Sequence, residues 1–174
     1  MVKDNKEKVK VEAMEYFMND VFQNYLITKN HLDTKINWLL GVSAIIMGLL
    51  LPYILTNDVS TSHFGLFIIA FSSLFTFLIG LLSLELPYSF IDHKTEEDTV
   101  MFYNRKKFKT SQEIFEELKK IESHDDILRQ YSITIYNLVE RNIKVKNRLF
   151  KFASHVLLMG LIAGFVIIIL SMFV

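Results

Sequence analysis

Cysteine is absent from the chain, which removes disulfides, thiolate nucleophiles and Cys-ligated zinc or iron–sulfur centres together. A surplus of charge is absent too: 19 basic residues face 19 acidic ones, so no net positive field makes nucleic acid the main partner. Glycine is missing from every polar stretch. All six glycines, Gly41, Gly48, Gly65, Gly80, Gly160 and Gly164, lie in apolar runs, and the polar remainder has no glycine-rich loop of the kind that cradles phosphates. Charge itself is missing from three long runs, residues 36–57, 64–84 and 152–174.

Those runs set the fold class. A helix rises about 1.5 Å per residue and the hydrocarbon core of a bilayer is about 30 Å thick, so roughly 20 apolar residues cross it. Each run is long enough, and the chain reads as an all-α membrane protein with three transmembrane helices rather than a soluble single-domain enzyme. No apolar stretch like that of a signal peptide precedes the first run, so that run is expected to be an uncleaved anchor. Residues 58–63 carry no Lys or Arg, whereas residues 1–35 and 86–151 hold all 19 basic residues. Lys and Arg resist translocation, which predicts a cytoplasmic N-terminus and long loop, an external hairpin and an external C-terminus. The expected organisation is a cytoplasmic amphipathic helix at 1–35, spans at 36–57, 64–85 and 152–174, a short external loop at 58–63 and a cytoplasmic helical region at 86–151.

The polar segments repeat apolar residues at helical spacing. Val11, Met14, Met18, Val21, Tyr25, Thr28 and Leu32 alternate steps of three and four, as do Leu128, Tyr131, Ile135, Leu138, Asn142, Val145 and Leu149, which continue through Phe152 and Val156. Thr110 with Glu113 and Ser123 with Asp126 have capping-box spacing. Both stripes lead into spans that run from inside to outside, so the two helices are expected to be parallel and to form a stalk continuous with the membrane bundle, pairing within or between subunits. Tyr131, Ile135, Leu138 and Asn142 are the expected seam, with Asn142 either fixing register there or facing water or headgroups. Within the spans Ala44 with Gly48, Thr76 with Gly80, and Gly160 with Gly164 permit close helix approach, either inside one chain or between copies.

Chemistry is sparse. His31, His63, His93, His124 and His155 are dispersed, and each has too few acidic neighbours to complete a metal site by itself; no metal, cofactor or catalytic residue is expected. Arg105, Lys106, Lys107 and Lys109 interleave with Phe102, Tyr103 and Phe108, a combination that suits either a nucleotide's phosphate and base or an anionic headgroup layer. Asp33 and Lys35 sit at the mouth of the first span, where an acid and a base so near hydrocarbon need partners. Being two residues apart they do not face each other, and Asp33 is free to pair with a basic residue from the 144–151 stretch, with Glu85 close to the same level.

The order of these features resembles the Pycsar effector family, the small transmembrane effectors of bacterial cyclic-nucleotide antiphage defence. The resemblance is carried by Leu32-Asp33-Thr34-Lys35 opening the first span, a second span after a short hairpin, Met101-Phe102-Tyr103 before Thr110-Ser111-Gln112-Glu113-Ile114-Phe115, and Arg141 to Arg148 running into the last span. Ile36 stands where the family commonly has a small residue. The resemblance implies a plasma-membrane effector rather than an enzyme, held silent until a partner nucleotide cyclase makes a cyclic pyrimidine mononucleotide, cCMP or cUMP, and then disrupting the membrane by forming a homo-oligomer or pore. The competing expectation is a small membrane scaffold or accessory subunit that recruits a partner through its cytoplasmic helices.

Overall fold

A computed structural model describes residues 2–56, 61–85, 110–119, 121 and 123–173. Among these described residues five α-helices follow in chain order: α1 (Val2–Thr56), α2 (Thr61–Glu85), α3 (Ser111–Lys119), α4 (His124–Asn137) and α5 (Lys144–Ser171), with a π-helical turn at Leu138–Ile143 between the last two. No strand occurs among the described residues. Three of the helices are long and apolar enough to cross a membrane. The chain divides into two compact units, His31–Tyr88 with Lys144–Val174, and Met1–Asn30 with Ser89–Ile143.

The first unit holds the three spans. Its core opens on α1 with Leu32, Ile36 and Leu40, against which Phe77 and Leu84 of α2 and Phe150 of α5 pack. α2 and α5 run antiparallel along most of their apolar lengths. The sequence permits this because α2 buries Gly65, Ile69, Ser72, Thr76, Ile79 and Ser83, at steps of four and three, and α5 answers with Ala153, Leu157, Gly160 and Gly164. Small side chains let the two backbones approach, the main source of association where lipid is as apolar as leucine. The outward faces carry Phe67, Phe71, Leu78, Ile162 and Phe165, suited to hydrocarbon. At the hairpin end Tyr53 stacks on His63 with ring centroids 5.7 Å apart and planes 11° from parallel.

The second unit is a helix pair. Glu15 of α1 meets His124 of α4 at 3.0 Å, and seven residues further along both chains the rings of Phe22 and Tyr131 lie 6.4 Å apart edge to face. Contacts that advance in the same direction on both helices make the pair parallel. The start of α4 is fixed by a capping box: Ser123 accepts from the Asp126 backbone N–H, and the Asp126 carboxylate accepts from the Ser123 N–H and hydroxyl. Glu113 N–H similarly donates to Thr110 Oγ1 at 3.3 Å in front of α3.

Two stripes differ from their sequence-derived frames. In α1, Met14 and Thr28 are exposed while Phe22 is half-buried, so the packed face is centred slightly to one side of the apolar alternation. In the last helix Leu138 and Asn142 are buried, with Tyr131 and Ile135 only half-buried beside the fully buried Thr134 and Asn137. Beyond Asn142 the buried positions become Lys146, Ala153, Leu157, Gly160 and Gly164 instead of Val145, Leu149, Phe152 and Val156, and Phe152 is exposed. The cause is the π turn, whose wider loop holds one extra residue and advances every later side chain by one position.

Candidate functional site

That one-residue advance carries Lys146 to the inside of the bundle. Its ammonium donates to Asp33 Oδ1 at 2.5 Å, with the Lys146 side chain 4% exposed and that of Asp33 24%. Leu32 and Ile36 flank the aspartate on its own helix face and Phe150 lies one turn beyond the lysine. An isolated ammonium at this depth is costly, because desolvation removes several kcal/mol that only a close, hydrogen-bonded anion offsets. Asp33 therefore ties the opening of the apolar run of α1 to the opening of the membrane part of α5. Lys35 is exposed and belongs to a different face, as its spacing from Asp33 requires. The Glu85 side chain lies outside the described residues.

Below the pair the bundle interior is lined by hydroxyls. Thr76, fully buried, donates to the Ala153 carbonyl of α5 at 3.2 Å, while Ser72 and Ser73 turn back to the Ile69 carbonyl at 2.9 and 2.8 Å. Ser43 and Ser83 are 0% and 2% exposed, and neither hydroxyl has a protein partner among the described residues. Gly160 and Gly164 face α2 rather than the outside. Gly160 receives the Ser72 side chain, and a Cβ on Gly65 would come within 2.6 Å of the Gly164 carbonyl. On Gly80 a Cβ would lie 2.7 Å from Leu40 Cδ2, so that leucine occupies a notch made by the missing side chain.

The outer face of α1 is different in kind. Thr34, Asn37, Gly41, Ala44 and Gly48 follow steps of three and four, and all are exposed. A Cβ added to Gly41 or Gly48 would meet nothing. Thr34, Asn37, Trp38, Gly41, Val42 and Ile45 line a shallow cavity of about 320 Å³.

The remaining expected positions are dispersed. His155 Nδ1 lies 2.6 Å from the Lys151 carbonyl in its own helix, His31 is exposed, and no group of three or more potential metal ligands exists among the described residues. His93 and the basic cluster Arg105, Lys106, Lys107 and Lys109 lie outside the described residues. The apolar stripe alone did not reveal Lys146 or the hydroxyl seam. The buried serines were visible only as hydroxyls spaced along an otherwise apolar run.

Residues 17–173 match the sequence model of the Pycsar effector protein domain. The chain belongs to the Pycsar effector family. The match takes in the uncharged runs of all three long helices, the Asp33–Lys146 pair and α4, so this is a membrane effector of a cyclic-nucleotide-signalled antiphage system, whose signal comes from a partner cyclase. Neither the comparison with curated proteins nor that with solved structures gave a match.

Proposed function

We propose that this Pycsar effector, itself not an enzyme, depolarises the inner membrane by self-assembly once its system's cyclase makes a cyclic pyrimidine mononucleotide, cCMP or cUMP. The observation that carries the reading is the family match, which runs without interruption across all three spans. The uncharged runs give the domain limits, and the charge distribution about them supports a cytoplasmic N-terminus and 86–151 region with an external C-terminus. Arg105, Lys106, Lys107 and Lys109 supply the charge to hold a phosphate on the cytoplasmic side.

The Asp33–Lys146 pair acts in this reading as a latch between the first and third spans. A ligand drives such a switch only if it favours the assembled state over the resting one. The exposed α1 face supports self-association: polar Thr34 and Asn37 and the open notches at Gly41 and Gly48 suit another helix better than lipid tails. Controlled expression with a membrane-potential dye, with and without the partner cyclase, tests the whole. Depolarisation is expected only with the cyclase. Full potential in both conditions at normal membrane levels overturns the reading.

A further inference from the structure

α2 is built inside out relative to a soluble helix, with Phe67, Phe71, Leu78 and Leu82 outward and its hydroxyls inward. Back-bonding serines are ordinary in membrane helices, since a carbonyl three or four residues earlier satisfies the hydroxyl within its own helix. Ser72 and Ser73 do this. Ser43 and Ser83 do not, although both are buried in a bundle where an unmet hydroxyl is costly. Both Oγ atoms are satisfied when water reaches them. Leu40, seated in the Gly80 notch, lies three residues before Ser43 on α1, and Gly80 opposite it lies three residues before Ser83 on α2. In this antiparallel pair each hydroxyl is therefore about 4.5 Å along the axis from the leucine, on opposite sides.

We propose that this hydroxyl face, Ser43, Ser73, Thr76 and Ser83, lines the aqueous ion path of the activated protein, and that Leu40 in the Gly80 notch is the apolar plug that keeps the path dry at rest. The proposal rests on the depolarisation reading and names where the ions go. A constriction formed by a leucine shuts a narrow path by expelling water, without any charged gate. Opening the seam exchanges two unsatisfied hydroxyls in an apolar interior for two hydrated ones, so the cost of separating the helices is partly offset at those positions. The path carries small hydrated ions, because among the described residues no side chain in the seam between Ser43 and Ser83 bears a charge that would bind one tightly.

The absence of cysteine makes the test direct, since each single substitution gives one thiol. Ser43→Cys and Ser83→Cys are near-isosteric, and Leu78→Cys and Ile162→Cys place the thiol on the exposed outer faces. A positively charged, water-soluble methanethiosulfonate is applied to cells or inside-out vesicles carrying the full chain, with and without the cyclase. The seam thiols are expected to react about tenfold faster or more when the cyclase is present, and the outer thiols to be unaffected. Leu40→Ser is expected to depolarise cells without the cyclase, with Leu40→Ala as a milder variant should the serine reduce insertion. Depolarisation by the cyclase with both seam thiols protected overturns the path and leaves the proposed function standing. Equal labelling with and without cyclase overturns the plug. A cyclase that depolarises neither cells carrying the cysteine variants nor cells carrying the natural sequence, each at normal membrane levels, overturns the function and the path together.

Discussion

The two faces of α1 use opposite chemistry for the same helix. Its inner face presents Leu32, Asp33, Ile36, Leu40 and Ser43, and each has an occupied neighbour, a shared ion pair or complete burial. Its outer face presents Thr34, Asn37, Gly41, Ala44 and Gly48, all exposed, with the glycines open. The glycines of α2 and α5 sharpen the contrast, because Gly65, Gly80, Gly160 and Gly164 are all filled by another helix. Glycine in a span thus marks close approach only where something approaches. The inner face is committed within the chain, and the outer face is met by no other helix among the described residues at Gly41 and Gly48.

The heaviest blow falls on the inner face through its ion pair. Asp33→Asn keeps size and hydrogen bonding but strands Lys146, and losing one partner of a buried pair costs about 3–5 kcal/mol. Thermal unfolding in detergent is expected to shift down accordingly, cyclase-dependent depolarisation to be lost, and membrane insertion to persist. Adding Lys146→Met removes the stranded charge and is expected to recover most of the stability. Lys35→Ala, on an exposed site, is expected to change stability by about 0–1 kcal/mol. Equal losses for Asp33→Asn and Lys35→Ala would show that the pair has no special weight.

This pair also shows how far the sequence could be read. The spans were legible because charge is excluded from three runs, and the need of Asp33 for a distant partner followed from its depth. Choosing among Lys144, Lys146, Arg148 and Lys151 required the helical register across 138–143. Continued α-helical spacing puts Val145 inside; the π turn puts Lys146 there. Nothing in the residue pattern announces that extra residue, since Val145 and Leu149 make an equally apolar stripe. The capping box at Ser123 and Asp126 was legible because it is local. The inner and outer glycines were not separable for the opposite reason, because a glycine's role depends on what stands opposite.

The next effects fall on the packed seam. Gly164→Leu drives a side chain into Ile69 and the Gly65 carbonyl, and overpacking of this kind costs about 1–3 kcal/mol or more. Stability and function are expected to fall together, read by unfolding in detergent and by the dye. Thr76→Val removes the bond to the Ala153 carbonyl at constant shape, and such bonds between membrane helices average about 0.6 kcal/mol. A loss well above 2 kcal/mol would mean that the hydroxyl holds more than this one carbonyl.

The smallest change to the fold gives the clearest separation of the two faces. Gly41→Leu on the outer face adds a side chain into open space, where surface substitutions usually alter stability by about 0.5 kcal/mol or less. Helix propensity moves it the favourable way, since leucine forms helix better than glycine. A chain acting alone is therefore expected to tolerate it fully. If copies pack through this face, the leucine blocks their approach, and crosslinked oligomers and cyclase-dependent depolarisation are both expected to disappear while detergent stability stays unchanged. Full activity with unaltered crosslinking would mean that α1 faces lipid there, and that the copies meet through another surface.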